Sequence, residues 1–286
     1  MSLVPWFVLA LQGVVVIASL LGYGIFSSRP ELLGRLGPQG VAFYAWAFQG
    51  FAVINMILGG LAVVLETAQR NMLRTLLLSF GAVYFVSLAS ELLGTTYGLP
   101  FGPYEYTSLL GPKCFDKVPL LIPLSWFTMA WPAWILARHK TQGLRAVLVG
   151  SALLVAWDLV LDPAMSSITS YWIWGETGAY YGMPWSNLFG WGVTGLVLLG
   201  ILCKAAPNPA GSPGFALSVY ALNLALPFGF CILRGYWIAV AAGMASAVAA
   251  LVLVLLRRAH DAGATGSCSP AESTGHIAPL AKARHE

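Results

Sequence analysis

Charge is what this sequence most lacks. Asp, Glu, Lys and Arg make up 9% of its 286 residues, against roughly 25% in a soluble globular domain. Fifteen Lys plus Arg and 11 Asp plus Glu cannot clothe a chain that is 58% hydrophobic, so a water-soluble fold is excluded and lipid is the solvent for most of the surface. The net charge of +4 includes no basic run, which removes a nucleic-acid partner. Histidine is missing from every apolar stretch: His139 sits in a charged loop, and His260, His276 and His285 lie near the C-terminus. That argues against intramembrane haem or di-iron sites built on His boxes. Cys114, Cys203, Cys231 and Cys268 show no CxxC spacing, so neither a zinc site nor a disulfide framework is indicated. The one G-x-G-x-x-G match, Gly190 to Gly195, opens an apolar helix with no strand before it. It reads as small residues for helix packing rather than a dinucleotide fingerprint.

What is present is a series of long apolar runs. A helix needs about 20 such residues to cross a hydrocarbon core, and eight stretches qualify: 5–27, 41–65, 72–93, 118–137, 144–161, 185–203, 215–233 and 236–256. The last two are parted by little more than Arg234 and Gly235. The expectation is an all-α, polytopic transmembrane bundle of seven to eight helices forming one domain over 1–258, with a disordered polar tail over 259–286. The first stretch follows no basic segment and is long enough to span, so it reads as a membrane helix rather than a cleaved signal. Ten of the 15 bases fall on the side of the N-terminus, which predicts cytoplasmic termini. Seven of the 11 acids lean to the opposite side. Two long connections also belong there, 94–117 rich in Gly, Pro and Tyr, and 163–184 rich in Trp, Tyr and Gly. Irregular backbone near membrane depth survives only when buried in protein or lining a cavity, so these loops are expected to cap a pocket on the non-cytoplasmic side. They echo each other in Tyr97-Gly98-Leu99-Pro100-Phe101 and Tyr181-Gly182-Met183-Pro184-Trp185, which suggests a parallel repeat.

Three acids close membrane helices beside these loops. Glu91 ends the third, and Asp158 and Asp162, four residues apart and hence on one face, end the fifth. A carboxylate inside a membrane helix costs roughly 2.5–3.5 kcal/mol on insertion scales, which makes it a functional candidate. Desolvation, the negative end of the helix dipole and the pairing of two aspartates all disfavour the ionised form, as a general acid requires. The competing reading is structural: such groups can reach interfacial water or cap loop amides. Glu105, Asp116 and Glu176 read as solvated loop residues. Of 36 aromatics, most suit interfacial belts, but Trp126, Trp131, Trp134, Trp157, Trp172, Trp174 and Trp191 flank the acids and loops, where aromatic faces can stabilise a cation.

At these residues the chain resembles a known family. Glu91, Gly94, Tyr97 to Gly102, Tyr104 and Tyr106, then Gly111-Pro112, Val118-Pro119, Pro123 and Trp126, then Trp157-Asp158, Asp162-Pro163, Trp172-Ile173-Trp174, Gly182-Met183-Pro184, Asn187 and Gly190-Trp191 are similar to the signature of the CruF-type carotenoid hydratases. The likeness covers about residues 85–195. It implies addition of water to the terminal C1,C2 double bond of an acyclic carotenoid ψ-end, giving a tertiary 1-hydroxy group, with no cofactor and no metal. The implied substrates are γ-carotene, lycopene or a related carotenoid. The other implied partners are water, membrane lipid and further carotenoid-biosynthesis enzymes, in a bacterial inner membrane. Under this resemblance Asp158 or Asp162 donates the proton, and the other aspartate or Glu91 positions and deprotonates water. Tyr97, Tyr104, Tyr106 and Asn187 hold that water or relay protons, and Trp126 and Trp157 face the carbocation. A carotenoid end-group cyclase or prenyl-transferring enzyme, and a proton-coupled transporter or lipid-binding protein, remain as alternatives.

Overall fold

Without water to satisfy it, an apolar chain in lipid must pair its own backbone groups, and a helix does so within one segment. The computed structural model describes residues 2–70, 73–209 and 211–255, and each of the eight long apolar runs holds a helix there, the fourth only from Leu121 onward. In order the helices are α1 (Val4–Ser28), the short α2 (Pro30–Arg35), α3 (Gly37–Ala68), α4 (Leu73–Tyr97), α5 (Leu121–Lys140), α6 (Gly143–Asp162), α7 (Trp185–Ala205), α8 (Pro213–Arg234) and α9 (Trp237–Leu255). Gly235 ends α8 in the left-handed conformation at φ 71°, which separates the seventh and eighth expected segments. The polar tail expected over 259–286 lies outside the described residues, with His260, His276, His285 and Cys268.

Among the described residues seven helices are long and apolar enough to cross a membrane: α1, α3, α4, α6 extended to Ile168, α7, α8 and α9. Helix α5 does not meet that measure. It forms the centre of the bundle, buried almost throughout from Ile122 to Ala137. A helix surrounded by protein needs no lipid-compatible face, so it can carry Ser125, Thr128, Pro132 and three tryptophans. The outer helices show the converse, with Phe7, Val14, Ile17 and Leu21 exposed along α1. Polar contacts bind the helices inside. Gln12 Nε2 on α1 donates to Asn55 Oδ1 on α3 (3.1 Å) and Asn223 Oδ1 on α8 (3.2 Å), and Ser90 and Thr194 join α4 to α7 at 2.9 Å.

The two long connections are not wholly irregular. Strand β1 (Tyr104–Tyr106) pairs antiparallel with β4 (Trp172–Trp174), and a smaller pair joins β2 (Lys113–Cys114) to β3 (Val118–Pro119). Tyr104 faces Trp174, Glu105 faces Ile173 and Tyr106 faces Trp172. Because side chains alternate along a strand, one face of this ribbon holds two tyrosines and two tryptophans, while Glu105 and Ile173 stay outside. The suggested repeat reaches only the glycine of each echo, Gly98 at φ 73° and Gly182 at φ 91°. Phe101 is buried, whereas its counterpart Trp185 is 62% exposed.

Candidate active site

Helix-breaking residues shape the site's surroundings. Beyond Asp162 the chain continues as a π-helical turn, Pro163–Ile168. Pro163 lacks the N–H that would bond the carbonyl of Leu159, and the Tyr180 hydroxyl takes that carbonyl at 2.7 Å. Pro227 within α8 likewise frees the carbonyl of Asn223, which accepts the Trp157 indole N–H at 3.3 Å. Each proline thus turns a backbone acceptor toward an aromatic donor from elsewhere in the chain.

Three buried carboxyls line one cavity, with about 100 Å³ of free space, under the β1–β4 ribbon. Glu91 Oε1 accepts the Trp126 indole N–H at 2.8 Å, and its Oε2 accepts the hydroxyls of Tyr106 (2.8 Å) and Tyr104. Burial first, and then the neighbouring Glu91 charge, push both phenols well above their ordinary range, so they remain protonated donors across the neutral range. Asp162 Oδ1 accepts from Trp172 (3.0 Å) and Trp174 (3.3 Å), and its Oδ2 accepts from Asn187 Nδ2 at 2.7 Å. The same Nδ2 lies 2.9 Å from Asp158 Oδ2. Asp158 Oδ1 is buried without a hydrogen-bond partner. Glu91 and Asp162 therefore each hold three donors, while Asp158 holds one and keeps an open oxygen in the cavity.

The remaining wall is largely aromatic. Trp191 stacks on Trp126 at 4.0 Å between centroids and meets Trp157 edge-on at 5.7 Å. Phe101 closes the corner between α4 and α7, where only glycine fits: a Cβ at Gly94 would lie 2.8 Å from the Tyr104 ring and one at Gly190 would strike Phe101. Gly190 thus admits a loop residue rather than a helix, although Gly195 does pack on α6, with its Cβ position 3.4 Å from Ser151.

This geometry can be set beside known proteins. A family profile described as "Carotenoid biosynthesis protein" matches residues 51–250, well over half of the chain. The chain belongs to this carotenoid biosynthesis family. A similar curated protein, named bisanhydrobacterioruberin hydratase, from Haloarcula japonica, is 34% identical over 128 residues. The alignment covers 42% of this chain and 42% of that relative, so the chain spans less than half of the relative's length. No solved structure matches. The profile and the relative support the resemblance to the CruF-type carotenoid hydratases, and the apolar helices make this carotenoid biosynthesis protein an integral membrane protein.

In this family member the cavity gathers Glu91, Asp158, Asp162, Tyr104, Tyr106, Trp126, Trp157 and Asn187. Tyr97 is not among them. It is 72% exposed at the end of α4 and lines no wall of the cavity, which corrects its expected place beside the water. Trp131 and Trp134 also lie away from the acids, toward the other end of α5, where Trp134 donates to the carbonyl of Ala206 at 2.8 Å and stacks under Arg138. Four residues outside the expected site set join it: Trp172 and Trp174, expected only to flank the acids, hold Asp162, and Asn55 and Asn223 form the amide side of the cavity. Alternation of large aromatics in Tyr-Glu-Tyr and Trp-Ile-Trp was the available signal for the ribbon, and isolated amides within apolar helices were the signal for Asn55 and Asn223.

Proposed function

We propose that this protein is a carotenoid 1,2-hydratase, adding water to the terminal double bond of an acyclic ψ-end. The observation that carries the reading is the unpartnered, buried Asp158 Oδ1 in an aromatic-lined cavity, beside two carboxyls already supplied with donors. The carboxyl short of donors is suited to hold a proton, and Asp162 and Glu91 are suited to hold charge. Asp158 gives its proton to C2, the π electrons form the new C–H bond, and positive charge develops on the trisubstituted C1. The faces of Trp126, Trp157 and Trp191 and the fixed charge of Glu91 stabilise that cation. A water adds through oxygen to C1, its surplus proton passes to Asp162, leaving a tertiary alcohol, and transfer of a proton from Asp162 back to Asp158 restores the starting state. Tyr104, Tyr106 and Asn187 position the water and the carboxyls.

Suitable substrates are γ-carotene, lycopene and, by the name of the Haloarcula relative, bisanhydrobacterioruberin. The basic residues favour an orientation with both termini cytoplasmic and the ribbon on the opposite side of a bacterial inner membrane. Expression in a host that accumulates a ψ-end carotenoid, followed by mass analysis, tests the reading. The expected product is heavier than the substrate by one water per reacted end. A rearranged product of unchanged mass would assign a cyclase instead.

A further inference from the structure

The acid-lined cavity, with about 100 Å³ of free space, can receive the end of a carotenoid but not its long conjugated rod. A second, larger space of about 490 Å³ lies between α1 and α3, and the two share Ala52, Tyr171 and Leu226 as common walls. Its lining is apolar and rich in flat rings: Tyr23 and Tyr44 each stand against Phe48, at 6.3 and 6.4 Å between centroids, and Tyr23 meets Phe230 at 4.9 Å. Phe43, 61% exposed, marks where it opens on the outer surface of the bundle. The partition is held at Tyr171, whose hydroxyl donates to the carbonyl of Phe48 at 3.2 Å.

We infer that the α1–α3 groove is the binding site for the polyene chain of the substrate, which enters from the lipid and passes Tyr171 so that only its terminal isoprene unit reaches Asp158. The occupant follows from continuity with the acid cavity and from the match between flat aromatic walls and a rigid conjugated chain. A flexible acyl chain gains less from such walls. This inference rests on the hydratase reading for the identity of the occupant.

The test is retention of carotenoid, measured by visible absorbance per folded protein after purification in detergent from a carotenoid-producing host. Gly22 lines only the groove, and a Cβ there would sit 3.9 Å from the Tyr44 ring, so Gly22→Phe fills the space. Ala18→Phe fills it from the next turn of α1. Gly13→Phe, set against Leu222 outside both cavities, is the control for a bulky residue on α1. Wild type and Gly13→Phe should retain carotenoid, while Gly22→Phe and Ala18→Phe should lose at least about tenfold. Wild-type retention in either folded groove variant, or no carotenoid in the wild type, would overturn the inference. Should one groove variant not fold, as judged by size-exclusion profile, the other decides. Groove-dependent retention with no hydrated product would overturn the hydratase reading and leave the groove standing. Hydrated product with retention indifferent to the groove would do the reverse.

Discussion

Asp158→Asn is expected to lower hydration by about 10²–10⁴-fold, the usual contribution of a positioned general acid, with little loss of stability. Asp158 accepts one hydrogen bond, from Asn187, and its other oxygen has no partner. An Asn at 158 can still accept that bond through its carbonyl, and its NH₂ would occupy the unpartnered place. The fold therefore loses no donor, but the cavity loses its transferable proton. Product formation per folded protein, with thermal unfolding in detergent as the companion measurement, separates the two effects. A folded variant that hydrates at a near wild-type rate would show that Asp158 is not the acid, and one that unfolds far below the wild type would show that Asp158 also holds the fold. Asp162 is a poorer choice for this separation, because three donors from Trp172, Trp174 and Asn187 depend on it.

Glu91→Leu is expected to act mainly on the fold. It would leave the hydroxyls of Tyr104 and Tyr106 and the indole N–H of Trp126 without their common acceptor. A buried donor left unsatisfied costs about 1–3 kcal/mol, so the loss is several kcal/mol, and a fall in Tm of roughly 6–12 °C follows if the total is about 3 kcal/mol. Glu91→Gln keeps one acceptor oxygen and sets its NH₂ against a donor, so its fall should be smaller. The order wild type, Gln, Leu in decreasing Tm is the expected result. Equal stability of all three would mean that the ribbon is held by packing rather than through Glu91.

The bundle was legible in the sequence because lipid imposes length and apolarity on each crossing, and those survive in composition. The acids were legible for the same reason: Glu91, Asp158 and Asp162 stand out where every charge is costly. The ranking of the two aspartates was not. Both sit on one face of α6, and the difference arises only when Trp172 and Trp174, held in register by β1, return to Asp162. A pairing between strands more than 60 residues apart leaves little local trace. The central position of α5 was only partly legible: its weaker apolarity, with Ser125, Thr128 and Pro132, sets it apart from the other runs, but which helices surround it leaves no local trace. The place of Tyr97 could have been read more closely. At about 100° per residue, six positions beyond Glu91 turn it by about 240° from the acid's face once the helix is carried to its end, and the structure puts it on the exposed side.

Oxygen tracing tests the central claim most directly. Purified protein in detergent, given a ψ-end carotenoid and buffer, should form a hydroxylated product whose new oxygen comes from heavy-oxygen water and not from labelled O₂. Label arriving from O₂, or a product without added oxygen, would contradict hydration by proton transfer from Asp158.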